Sequence, residues 1–139
     1  MGSEMWKSAC AALALIVAAV PVATLANTSY KCKIVQHAAN GNSLPPTVYV
    51  ERIGNSREAQ VMDGFIKNYL GSPAKAVVQT DNAKRITFSW TLDATDGSGD
   101  LTRMSFHLTY MKATHSATVF VEWLGYLNQY TSTGTCTVK

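Results

Sequence analysis

Residues 84–123 read KRITFSWTLDATDGSGDLTRMSFHLTYMKATHSATVFVEW. Ile86, Phe88, Trp90 and Leu92 alternate there with Arg85, Thr87, Ser89 and Thr91. Met104, Phe106, Leu108 and Tyr110 then alternate with Arg103, Ser105, His107 and Thr109, and Ala117, Val119, Val121 and Trp123 with Thr118, Phe120 and Glu122. Side chains of a strand point to opposite faces with a period of two, so three such runs predict three strands, each with one buried face. Residues 93–100, with Gly97 and Gly99, and residues 112–114 are turns between them. Parallel neighbours would need crossovers of a dozen or more residues, and these connections are too short, so the strands are antiparallel.

The same pattern extends in both directions. Tyr30, Cys32 and Ile34 alternate with Lys31 and Lys33 over residues 30–36, and residues 38–46, with Asn40, Gly41, Asn42, Ser43, Pro45 and Pro46, form a loop. Residues 47–53 are rich in β-branched and aromatic types and predict a second strand. Residues 75–80 and 134–138 predict short strands, with an aromatic but punctuated stretch over 125–133 ahead of the last one. Between them, Val61, Met62, Phe65, Ile66, Tyr69 and Leu70 recur at helical spacing after Asn55 and Glu58 and before Gly71 and Pro73, which predicts one helix. A strand over residues 60–62 with a turn at Asp63-Gly64 is the alternative. The expected fold is therefore mainly β, an antiparallel meander of six to eight strands forming a small barrel or sandwich, with one short helix packed against it. An open sheet covered by the helix is its competitor.

Outward again, the N-terminus carries Lys7, an apolar run over residues 9–20, and small residues at Thr24 and Ala26. This order matches a secretion signal, and it predicts a cleaved leader over residues 1–26 and a single β-rich domain over 27–139. The run is shorter than the roughly 20 residues a bilayer-spanning helix requires, so contact with a membrane is expected only through the transient leader. Cys10 leaves with the leader, and Cys32 and Cys136 remain. An even count in an exported chain predicts a disulfide, which demands that the first and last strands meet. The expected location is periplasmic or secreted, and the alanine-rich leader has a bacterial character. In type the chain resembles the small exported proteins of Gram-negative bacteria, a likeness that carries no site residues with it.

The formal charge is +3 with and without the leader, because the leader removes one lysine and one glutamate. Lys31 and Lys33 alternate on one strand and Lys84-Arg85 is only a pair, so no basic stripe predicts nucleic-acid binding. His37, His107 and His115 share no local spacing, and no metal site or cofactor is expected. Asp93, Asp96 and Asp100 beside Gly97 and Gly99 have the composition of a calcium loop without its pattern. A hydrolase would have to assemble Ser105 or Ser116, His107 or His115, and Asp100 or Asp63 in space; no G-x-S-x-G elbow supports it. Asn27-Thr28-Ser29 has the form of an N-glycosylation acceptor.

The remaining feature is Trp123, Tyr126 and Tyr130, set among Leu124, Gly125, Leu127 and Asn128. Aromatic residues dominate contact sites, so these three are the expected ligand or partner contact, with capping of the fold's end as the competing role. The expected function is an exported, non-enzymatic β domain binding a small apolar ligand, a glycan or a protein of the cell envelope. The alternatives are a structural, envelope-stabilising protein and an envelope hydrolase using a histidine and a carboxylate.

Overall fold

The computed structural model describes residues 14–19, 25–41, 43–95 and 97–139. Eight strands follow one another: β1 (Thr28–Ile34), β2 (Thr47–Arg52), β3 (Glu58–Asp63), β4 (Ala74–Asp81), β5 (Arg85–Thr95), β6 (Leu101–Met111), β7 (Ser116–Trp123) and β8 (Gln129–Val138). Each pairs antiparallel with the next, and β8 returns to pair with β1, closing a barrel. Closure leaves no edge strand, and it selects the barrel over the sandwich and the open sheet.

The three alternating runs place their apolar residues as expected. Phe88, Phe106, Leu108, Val119 and Val121 are fully buried together, and Trp90 stacks on Phe106 with ring centroids 5.4 Å apart. Tyr30 meets Phe88 and Tyr110 edge-on at 5.1 and 5.4 Å, so side chains from opposite walls meet in the interior. An eight-stranded barrel is just wide enough for its side chains to fill, and this one is filled.

The seam between β1 and β8 is where the fold is completed. Cys32 and Cys136 are direct cross-strand partners, with Cα atoms 4.0 Å apart, and they are joined by a disulfide. Beyond them, Ile34 pairs with Gly134, the Val35 amide donates to the Thr133 carbonyl at 2.8 Å, and the Ser132 hydroxyl donates to the Val35 carbonyl.

Three expectations are corrected. The helix is α1 (Gly64–Tyr69) alone, and residues 58–63 before it are strand β3. Asp63 and Gly64 make neither a mid-helix pair nor a hairpin turn: the Asp63 carboxylate accepts the Ile66 amide at 2.8 Å and caps the helix. Ile66 is fully buried, so the helix closes one end of the barrel. Strand β5 runs on to Thr95, burying Ala94, so of the expected turn over 93–100 the described residues leave 97–100 outside the strands. The last strand starts at Gln129, five residues before the expected position.

The two barrel ends differ. One carries the β2–β3, β4–β5 and β6–β7 turns and an ion-pair cluster in which Asp81 binds Arg52 at 2.9 Å and Lys112 at 2.7 Å. The other carries the β1–β2 loop, α1, the β5–β6 tip and the β7–β8 turn. Of the expected leader, residues 1–13 and 20–24 lie outside the described residues. Leu15, Ile16 and Val17 are more than four-fifths exposed and do not pack on the barrel. No helix among the described residues is long and apolar enough to cross a membrane.

Candidate functional site: an aromatic cleft at one end of the barrel

Trp123, Tyr126 and Tyr130 are brought together, with Thr102 and Asn128, around a cleft of about 210 Å³. Inward alternation puts them there. Trp123 continues the inward series Ala117, Val119 and Val121 of β7, and Tyr130 begins the series of β8 that runs through Ser132 to Cys136. Thr102 heads the inward series of β6 and is 3% exposed. Trp123 is the cross-strand partner of Met104, and Tyr130 that of Val121, so all three walls belong to the last rungs of the barrel at the end bearing the β5–β6 tip.

Tyr126 comes from the turn. The Tyr126 amide donates to the Trp123 carbonyl at 3.0 Å, and Gly125 has a φ of +90°, the left-handed position a type II turn assigns to glycine. The Leu124 amide donates to the Arg103 carbonyl at 2.9 Å, which ties the turn to β6. The Asp93–Arg103 ion pair, 2.8 Å, braces the projecting part of the β5–β6 hairpin and holds the Asp93 carboxyl below its ordinary range. The cleft is thus lined by elements held in place by backbone hydrogen bonds.

Its polar chemistry is unsatisfied. Among the described residues four buried side-chain polar atoms lack a hydrogen-bond partner, and two of them, Thr102 Oγ1 and Trp123 Nε1, belong to residues lining this cleft. Leaving such an atom unmade costs about 1–3 kcal/mol, so a site with two of them gains from any group that supplies a donor and an acceptor. The other two atoms, Trp90 Nε1 and Asp63 Oδ2, lie on residues of the barrel interior and the helix cap. Thr102 is not conspicuous in sequence, yet it continues the Met104–Tyr110 alternation one step, as a polar residue at an inward position.

The other candidates are dispersed. Ser105 and His107 share the outer face of β6, with Ser105 Oγ 3.5 Å from His107 Nε2, and His107 Nδ1 is 3.1 Å from Gln79 Oε1. A bulge in β4 between Val78 and Thr80 supplies Gln79. The third member is thus an amide on an open strand face, while Asp63 is taken up by the helix cap and Asp100 lies near Ser98 on the hairpin tip. His115 bonds Tyr110 and Ser116 bonds Thr114, so the structure does not assemble the serine–histidine–aspartate set. Asp93 is held by Arg103 and Asp96 lies outside the described residues; among the described residues no three metal-ligating side chains converge. The Asn27 side chain donates to Glu51 at 2.8 Å and accepts the Gly54 amide at 3.0 Å, so its amide is already engaged.

No protein-family description, no curated protein and no solved structure matches the chain.

Proposed function

We propose that the chain is an exported, non-enzymatic binding domain of a bacterial cell envelope, periplasmic or secreted, whose cleft at Trp123, Tyr126 and Tyr130 holds a single carbohydrate ring. The observation that carries this reading is the pair of partnerless buried atoms, Thr102 Oγ1 and Trp123 Nε1, on the walls of an aromatic-lined cleft. A sugar ring offers an apolar face to aromatic side chains and hydroxyls that both donate and accept. The Trp123 donor and the Thr102 hydroxyl need those two functions. Drug-sized ligands fill sites of roughly 300–1,000 Å³, larger than this cleft. The packed interior favours a ligand held at the mouth over an apolar one enclosed within. Export is supported by the leader-like segment, the exposure of residues 15–17 and the disulfide, which suits an oxidising compartment.

A glycan array probed with the oxidised protein tests the binding, followed by titration of the Trp123→Phe variant, which keeps a flat ring and removes the Nε1 donor. We expect retention on a subset of glycans and a loss of about 2- to 13-fold in affinity for the variant, the equivalent of one hydrogen bond. Silence across the array, or full affinity in Trp123→Phe, would overturn the assignment. N-terminal sequencing of exported protein tests the leader, with Asn27 expected as the first residue.

A further inference from the structure

A larger concavity lies elsewhere, on the outer wall, where the outward faces of β8, β1, β2 and β3 form a groove of about 680 Å³. The registers define its layout. Lys31 and Lys33 stand two residues apart on β1, about 6.6 Å along the strand. On one side they face Thr137 and Thr135 of β8; on the other, Lys31 faces Tyr49 of β2, which in turn faces Met62 of β3. Lys31 Nζ lies 5.8 Å from the centroid of the Tyr49 ring, which orients that ammonium over the groove floor. Lys139 lines the same groove beside Ser29. Neither Lys31 nor Lys33 has a carboxylate partner among the described residues. Glu51 is the carboxylate residue of the lining, and its Oε1 accepts from Asn27.

We propose that this groove binds an acidic polysaccharide, a strand carrying carboxylate or sulfate groups. The site is separate from the cleft and does not rest on the reading given to it. Charge decides the sign of the ligand, since two adjacent ammonium groups lack counter-charges. The shape of the fold decides its class. A peptide gains affinity by adding a strand to a free edge, and a closed barrel offers none. Single-stranded nucleic acid is held by a succession of aromatic platforms; of the two tyrosines lining the groove Tyr30 is buried in the barrel, and the exposed ring, Tyr49, is already faced by Lys31. Threonine hydroxyls on one bank and an aromatic–methionine bank on the other suit a ligand rich in both hydroxyls and ring faces.

The test is affinity electrophoresis of the full chain through gels containing polygalacturonate, dextran sulfate or neutral dextran, at 20–200 mM salt. We expect retardation by one or both acidic polymers and none by neutral dextran. The Lys31→Gln/Lys33→Gln variant should bind roughly 2- to 30-fold more weakly, the sum of two exposed charge contacts. Lys67→Gln/Lys84→Gln, with the same net charge but away from the groove, should bind as the parent does. Unchanged thermal midpoints confirm that both variants fold. Equal weakening in both variants would reduce the effect to net charge and overturn the proposal. So would absent retardation, or binding to phosphatidylglycerol vesicles without binding to either acidic polymer.

Discussion

Gly134 shows how much one missing side chain contributes to closure. A Cβ built there would lie inside the van der Waals surface of the Lys33 carbonyl oxygen, and 3.0–3.1 Å from the Lys33 carbonyl carbon and Ile34 Cα. These are backbone atoms of the partner strand, so no rotamer change relieves the overlap and the seam must part. Gly134→Ala should cost at least the upper part of the roughly 1–3 kcal/mol range for overpacking, as read from urea unfolding. Asp63 is a second residue with an outsized effect. Burial of its carboxyl raises its pKa, and the helix amides it caps only partly offset this. Between the unfolded value near 3.9 and the raised folded one, the native state binds more protons than the unfolded chain, so this residue's contribution falls as pH rises through that window. Asp63→Asn keeps the cap and removes the titration. It should be at least as stable as the parent at pH 7, whereas Asp63→Ala should lose about 1 kcal/mol with the cap. Asp81 has the opposite sign. Hydrogen bonding to Lys112, then to Arg52, lowers its pKa, so its contribution is complete above about pH 4 and disappears as pH falls through the folded value. Its side chain is 30% exposed, so Asp81→Asn should cost only about 1 kcal/mol at pH 7 and flatten the loss of stability in acid.

At the scale of elements, legibility follows the chemistry of the inward face. Strands β5, β6 and β7 have inward positions filled by large apolar residues, and their registers could be read directly from the chain. Strand β8 could not be read in the same way, because its inward series includes Ser132 and Gly134, which seam hydrogen bonding and close backbone approach require in place of apolar bulk. The misread helix has a different origin. Val61 and Met62 belong to a strand, Phe65 and Ile66 to the helix that follows, and the junction at Asp63 happens to leave four-residue intervals across it. Period-four spacing there comes from two elements joined end to end. The candidate cleft was half legible: its aromatic residues are conspicuous in sequence, but their convergence with Thr102, about twenty residues upstream, depends on the β6–β7 register. The β7–β8 turn can be tested as an element. Gly125→Ala places a Cβ at φ +90°, where the backbone and not the surrounding space is the obstacle, so it should weaken the carbohydrate binding proposed for the cleft while lowering the thermal midpoint only slightly.

For the whole molecule, stability depends on joining the ends of the sequence. Strands β1 and β8 are the farthest apart in the chain, and a barrel of non-local pairings must bring them together last or at high entropic cost. The bond between Cys32 and Cys136, 104 residues apart, removes that search from the unfolded ensemble. Cys32→Ala/Cys136→Ala should therefore lose about 2–5 kcal/mol, a large share of the stability of a domain this size, with the loss read as a lower urea midpoint.

The same bond alters how the molecule responds to pulling. A load applied at Thr28 and Val138 enters β1 and β8, reaches Cys32 and Cys136 within a few residues, and passes through the covalent link, so the remainder of the barrel carries no tension. Stretched between those two residues in an oxidising medium, the barrel should act as a short inextensible tether; reduction should release about 350 Å of stored chain, at up to 3.3–3.6 Å per residue. A single-molecule extension trace with and without reductant would record that difference. A tether of this kind keeps its surfaces intact while the residues that flank the barrel are pulled apart.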